Sequence, residues 1–325
     1  MNAVVEPLAG LADSSVVRRN RLLDTLVASL TRIAAIAVLL LLGGVIIALI
    51  DGAWPALKAF GIPFLYTESW NPVTEVFGAA APVYGTVITS LIAMLIGVPL
   101  SIGIAVFLTE LCPRPLKRSV GTAIELLAGI PSIIYGIWGL FVLAPILQEW
   151  IQPALISVTE GIPILEPLFA GPPYGIGILT AGLILSIMVL PFITSITRDV
   201  FETVPPMLKE SAYGLGCTTW EVVRYVVLPY TRTGVIGGVM LGLGRALGET
   251  MAVTFVIGNA HRIKSSLLAP GTTISASIAN EFTEADGVLY TSSLIALGLI
   301  LFVITFIVLA AARYLLMRLK RREGT

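Results

Sequence analysis

An all-α integral membrane fold is the class this sequence predicts, and three observations predict it. First, 56% of the 325 residues are apolar and only 12% are charged, with a mean hydropathy of +0.94. A soluble domain carries about 25% charged residues, so lipid must solvate much of this chain. Second, six apolar stretches approach or exceed the roughly 20 residues that cross a bilayer. Third, these runs are continuous and do not alternate, which favours helices over a barrel.

The six predicted spanning helices follow in order. The first is Ile33 to Ile50, free of charge. Its apolar run is longer than the about 7–15 residues of a signal-peptide core, so it reads as a retained anchor. The second runs from Tyr84 to Leu108, the third from Leu126 to Leu147 and the fourth from Gly175 to Thr197. The fifth covers about Thr233 to Ile257 and the sixth about Val288 to Ala312. Only the fifth contains charges. Pro99, Pro131, Pro145 and Pro191 fall in or near these segments, where each removes a backbone donor and favours a kink.

Orientation follows from the Lys and Arg near helix ends. Arg18, Arg19, Arg21 and Arg32 precede the first span, and Arg114, Lys117 and Arg118 lie between the second and third. Arg198, Lys209, Arg224 and Arg232 lie between the fourth and fifth, and Arg313, Arg318, Lys320, Arg321 and Arg322 follow the sixth. The opposite side has only Lys58, Arg262 and Lys264, so both termini are expected in the cytoplasm. The outer loops carry nine acids, among them Glu68, Glu75, Glu281 and Glu284, for a net charge of −6. Such a face would not steer a free anion inward. One histidine, His261, and two distant cysteines, Cys112 and Cys217, leave no metal cluster and no disulfide framework. The cysteines read as small apolar fillers and His261 as a solvated loop residue.

The loop between the fourth and fifth spans is long, semi-apolar and patterned as two short helices around a glycine: ESAYGLGCTTWEVVRYVVLP, from Glu210 to Pro229. Trp220, Val223 and Val227 suit one face of the second. Gly216 lies where the chain must turn, and Leu228-Pro229 is expected to close the second helix. An apolar surface held in the cytoplasm implies a partner.

The fifth span holds GLGRALGETMAVTF, from Gly242 to Phe255. Arg245 and Glu249 are four apart and share a face of a continuous helix. A lone arginine near the bilayer centre costs at least about 2.5–3.5 kcal/mol, so Glu249, water or a ligand must offset it. Two readings stand: a self-neutralising ion pair that fixes packing, or a translocation site. An arginine fork suits a tetrahedral oxyanion. Gly242, Gly244 and Gly248 allow close helix approach.

The Glu210–Pro229 loop resembles the signature loop of ABC importer permeases: Glu-Ala-Ala, three residues, Gly, nine residues, then Ile-x-Leu-Pro. Glu210, Ala212, Gly216, Val226, Leu228 and Pro229 stand at its positions, with Ser211 in place of the second-position alanine and Val226 in place of isoleucine. Three blocks together resemble the phosphate-specific permease family, the C-type subunit of the Pst system (PstC-like). They are Gly129–Pro145 (GIPSIIYGIWGLFVLAP), the loop ending at Pro229, and Gly242–Ala260 (GLGRALGETMAVTFVIGNA).

The resemblance implies a MetI-like (type I) importer permease with an extra N-terminal helix. It implies residues 1–80 as cytoplasmic N-terminus, first span and outer loop, 81–315 as the transmembrane domain and 316–325 as a basic tail. The expected function is a permease for inorganic phosphate, with Arg245 and Glu249 in the substrate pathway and the Glu210–Pro229 positions coupling to an ATPase. No Gly-x-x-x-x-Gly-Lys-Ser/Thr sequence occurs, so ATP hydrolysis belongs on a partner and no cofactor is expected here. Implied partners are a homologous A-type permease, two copies of an ATP-binding subunit and an extracytoplasmic phosphate-binding protein. Membrane lipid and regulatory partners of phosphate signalling complete the set, and no nucleic acid is expected. A cationic rim at His261, Arg262 and Lys264 that receives phosphate is the second reading of that loop. The alternative function is a permease for another oxyanion such as sulfate or molybdate.

Overall fold

A computed structural model describes residues 15–322, with the side chains of residues 15–19, 114, 315 and 319–322 excepted. The readings placed on residues 1–14 and 323–325, and on the side chains of Arg18, Arg19, Arg114, Lys320, Arg321 and Arg322, lie outside the described residues. The described chain is helical, and six helices are long and apolar enough to cross a membrane.

By its contacts the chain divides into two units, Met1–Gly52 and Ala53–Thr325. Within the first, α1 (Ser15–Phe60) runs unbroken to Gly52. Leu22, Leu26, Leu30, Ile33, Leu39 and Leu41 are all exposed on it. A helix apolar on every side is built for lipid.

The second unit contains the end of α1 and all that follows. Helix α2 (Ala80–Val106) leads through a π segment (Phe107–Leu111) to the amphipathic α3 (Arg114–Ala128). The third span was expected at Leu126–Leu147. It runs instead from Ser132 to Thr159, because Gly129, Ile130 and Pro131 interrupt the helix and leave α3 as a separate element. This span is a chain of pieces: α4 (Ser132–Trp138), a π segment (Gly139–Leu143), α5 (Ala144–Ile146), a second π segment (Leu147–Ile151) and α6 (Gln152–Thr159). A short α7 (Glu166–Phe169) precedes α8 (Ile178–Glu202).

The fifth span starts earlier than Thr233. After α9 (Pro206–Gly214) come α10 (Thr219–Val222), a π segment (Val223–Val227) and α11 (Leu228–Gly248), together one apolar span from Thr219 to Gly248. Leu228-Pro229 therefore does not close the coupling helix. Pro145, Pro153 and Pro229 each follow a π segment by two residues. A proline lacks the donor for its i−4 carbonyl and its ring clashes there, and a widened turn just before it lets the ladder resume. The chain continues through α12 (Met251–Val256) and α13 (Ile274–Glu281) and ends in α14 (Val288–Arg322).

Helix α8 is the hub. Of its apolar window 67% is buried, against at most 28% for any other span. Ile184, Leu185, Met188, Val189 and Ile193 of α8 form one cluster with Ala93, Ala246, Val253 and Val256. The Ser101 hydroxyl of α2 donates to the Leu190 carbonyl at 3.2 Å, and Thr194 donates back to the Ser101 carbonyl at 3.4 Å. Such bonds hold helices together where lipid supplies no hydrophobic drive between them. The face of α11 toward α8 is a stripe of glycines. A Cβ on Gly234, Gly238 or Gly242 would press on Val200, Ile196 or Ile193 respectively. Of the three glycines expected to permit close approach, Gly242 does so. Gly244 makes ordinary contact with Leu309, and Gly248 faces open space.

Candidate translocation site and coupling surface

Arg245 occupies the last turn of α11. Its guanidinium lies over the ring of Phe192 from α8, with Cζ 4.3 Å from the centroid. Its Nε is buried and has no hydrogen-bond partner. Glu249 is not its counterion. The helix stops at Gly248, and Glu249 is extended (φ −69°, ψ 132°). Its Oε1 turns forward to accept from the Ala252 amide at 3.3 Å. Among the described residues no ion pair within 4.0 Å joins Arg245 to Glu249, so the self-neutralising pair is absent. The i, i+4 argument needs an unbroken helix. Here the glycine and a carboxylate that bonds its own downstream amide break it.

The Gly129–Pro145 and Gly242–Ala260 blocks of the sequence meet around this point. Gly136 of α4 approaches the Ala252 backbone and Phe255 ring closely, and Gly139 approaches Val256. Tyr135 is buried in the same cluster as Ile193, Ala246 and Ala252, and its hydroxyl donates to the Leu127 carbonyl at 2.8 Å. Phe192 and Tyr135 escaped the sequence reading, because the aromatic residues of α4 and α8 look like ordinary span residues until packing places them.

The expected two helices around a glycine are α9 and α10, and Gly216 turns between them with φ +89°. A Cβ there would meet nothing within 4 Å, so backbone conformation is the reason for glycine. Ala212 is buried with Phe201, Val204, Val222 and Val227, against which Val226 and Leu228 are packed. Glu210 and Pro229 are exposed. The buried face of the second helix is Val222, Val223 and Val227, whereas Trp220 is 63% exposed. The π turn shifts the register that ordinary helical spacing assigned. Met207 and Leu215 of the same loop region are likewise exposed, at 75% and 86%.

Two polar devices brace this loop. Lys209 Nζ lies 2.6 Å from Glu110 Oε1, and the Glu110 side chain is only 7% exposed. Thr218 and Glu221 form a reciprocal capping box at the start of α10. The Thr-x-x-Glu spacing could have been read from sequence; the pairing of Lys209 could not. Lys117–Glu202 at 2.9 Å and Arg198–Glu125 at 2.8 Å tie α3 to α8 at the same end.

The far end of α8 carries a different cluster. The Trp70 indole and the Tyr290 hydroxyl both donate to Glu281 Oε2, at 2.6 and 2.7 Å. His261 stacks on Trp70 at 5.1 Å between centroids and lies 3.4 Å from Glu281 Oε1 and 3.2 Å from Ser277 Oγ. His261 is thus packed, against the expectation of a solvated loop residue. Burial lowers its pKa below the ordinary imidazole value, and the nearby Glu281 charge only partly opposes this. A neutral, packed imidazole does not make a cationic rim.

The profile of the family described as "Binding-protein-dependent transport system inner membrane component" matches residues 97–321. A protein of Mesorhizobium japonicum named "Phosphate transport system permease protein PstC" is 71% identical over 326 residues, covering 100% of both chains. The chain belongs to this permease family, in its PstC branch. A Pasteurella multocida protein of the same name is 57% identical, covering 94% of this chain and 95% of its own. A solved bacterial ABC transporter involved in import of the polysaccharide alginate has a chain 17% identical, with TM-score 0.59. The match covers 94% of this chain and 99% of that one, and it shows the fold, a MetI-like permease architecture. Six apolar helices in this family make the chain a multi-pass protein of the inner membrane.

Proposed function

We propose that this chain is the permease subunit of an ATP-driven importer of inorganic phosphate and supplies half of the translocation pathway. The observation that carries this reading is Arg245: a cation inside the helix core whose Nε lacks a partner and whose nearest acid in sequence bonds elsewhere. A site with positive charge and free guanidinium donors suits a tetrahedral oxyanion. The names of the relatives support phosphate as that oxyanion.

In this reading Glu249 discriminates between oxyanions. One of its oxygens holds the Ala252 amide, and the other is free to accept a hydrogen bond from a phosphate hydroxyl. Sulfate near neutral pH carries no such proton and would be repelled. The exposed Met207, Leu215 and Trp220, with the exposed Glu210 of the same loop region, are the residues that dock a separate ATP-binding subunit. The braced loop, through Ala212, Gly216, Val226, Leu228 and Pro229, relays its movement to α11. Residues 81–315 are the transmembrane domain, paired with a homologous A-type permease. Both termini face the cytoplasm, two ATP-binding subunits dock below, and a phosphate-binding protein delivers substrate to the acidic outer face.

The test is uptake of labelled phosphate in cells lacking their own high-affinity system, with the chain expressed beside its partners at verified membrane levels. Wild type restores uptake and Arg245→Ala abolishes it. Equal uptake by both would remove Arg245 from the pathway. Sulfate uptake without phosphate uptake would assign the neighbouring oxyanion class.

A further inference from the structure

We infer that Phe192 is a positioning residue for substrate recognition: its ring face holds the Arg245 guanidinium in place of a carboxylate, so that the cation keeps its full charge for the oxyanion. The inference rests on the reading of Arg245 as a substrate-pathway residue and names what prepares it. A buried arginine must be stabilised by something. The usual solution, a carboxylate, takes up the donor fork and cancels the charge. Here the candidate carboxylate, Glu249, turns to the Ala252 amide, and the ring of Phe192 lies 4.3 Å from Cζ instead. An aromatic face attracts a cation through its quadrupole, yet adds no net charge and offers no strong acceptor. It therefore lowers the cost of burying Arg245 without competing for phosphate.

The placement of Phe192 is itself determined. Pro191 and Ile193 on either side of it are both buried, and Ile193 fills the space over Gly242 one turn before Arg245. Phe192 is only partly buried, between two residues that anchor it. It stands 14 residues after Ile178 and 10 before Glu202. That puts the ring about 21 Å along a helix about 37 Å long, near the middle of the membrane's span.

The experiment uses the complete reconstituted transporter in proteoliposomes. Labelled phosphate uptake and ATP hydrolysis stimulated by the loaded binding protein are measured together. Phe192→Leu keeps apolar bulk but loses the ring face; Phe192→Tyr keeps the ring face. Phosphate moved per ATP should fall about tenfold in Phe192→Leu, the scale of one partly desolvated cation–π contact, and stay within about twofold of wild type in Phe192→Tyr. A merely structural role would lower assembly or ATPase and uptake in parallel and would leave the ratio unchanged. An unchanged ratio in Phe192→Leu, or an equal fall in both variants, overturns the inference. Arg245→Ala in the same assay separates the two layers. If it abolishes uptake while Phe192→Leu leaves phosphate moved per ATP unchanged, only the role of Phe192 fails; if Arg245→Ala transports normally, the underlying site reading fails with it.

Discussion

Arg245 and Glu249 show how one backbone break changes the meaning of a pair of residues. Four apart on a continuous helix they would neutralise each other; separated by the extended backbone at Glu249, they become a free cation and a free acceptor with different tasks. The sequence exposed both residues, since charges in a span stand out against an apolar background. It did not expose the break, because Gly248 alone is tolerated in a helix interior at a cost of only about 1 kcal/mol. If the acceptor role is correct, Glu249→Gln should weaken rejection of sulfate. The amide can donate to an oxyanion that a carboxylate repels, so sulfate should compete with phosphate uptake several-fold better than in wild type, in a competition assay with both anions. Unchanged competition would leave Glu249 with only its bond to the Ala252 amide.

At the scale of elements, the packing of α11 on α8 depends on the absence of side chains. Gly234, Gly238 and Gly242 repeat every four residues, so they line one face and admit Val200, Ile196 and Ile193. This stripe was legible as a spacing, yet the expected trio was Gly242, Gly244 and Gly248, of which only the first lies on the packed face. The element boundaries were less legible still. Six spans were foreseen, but each π turn ahead of Pro145, Pro153 and Pro229 carries a helix past a proline that local rules treat as a stop. The widened turn before each proline overrides those local rules. The glycine stripe yields a paired test. Leucine at Gly238 would place its Cβ 2.9 Å from Ile196 Cγ2, whereas Gly237 has nothing within 4 Å. Gly238→Leu should destabilise the purified chain in detergent by about 1–3 kcal/mol, the usual range for overpacking. Gly237→Leu should leave its melting temperature close to wild type. Equal melting of both variants would remove the stripe as the contact between the two helices.

Across the whole molecule, the two ends of the helix core are held by different chemistry. At the α9–α10 end, ion pairs brace the elements: Glu110–Lys209, Lys117–Glu202 and Arg198–Glu125. At the other end, an aromatic and hydrogen-bonded network around Glu281 fastens the segment that carries Trp70 and Phe77 to α14 through Tyr290. The second network contains one imidazole, His261. Its charged and titratable neighbours are Glu281 and, through that carboxylate, Tyr290. Because burial lowers the His261 pKa in the packed state, the opened state binds a proton first as pH falls. The packing is therefore fully present above the ordinary imidazole value of about 6.5 and weakens as pH falls from there toward the lowered value in the packed protein. Amide exchange of residues 62–78 should quicken as pH falls below about 6.5, after correction for the intrinsic pH dependence of exchange. The ion-paired end should show no matching change over this interval. His261→Gln keeps a polar side chain beside Ser277 and cannot titrate, so it should abolish the pH response of residues 62–78. A response that persists in His261→Gln would place the titrating group elsewhere, with Glu281 the next to replace.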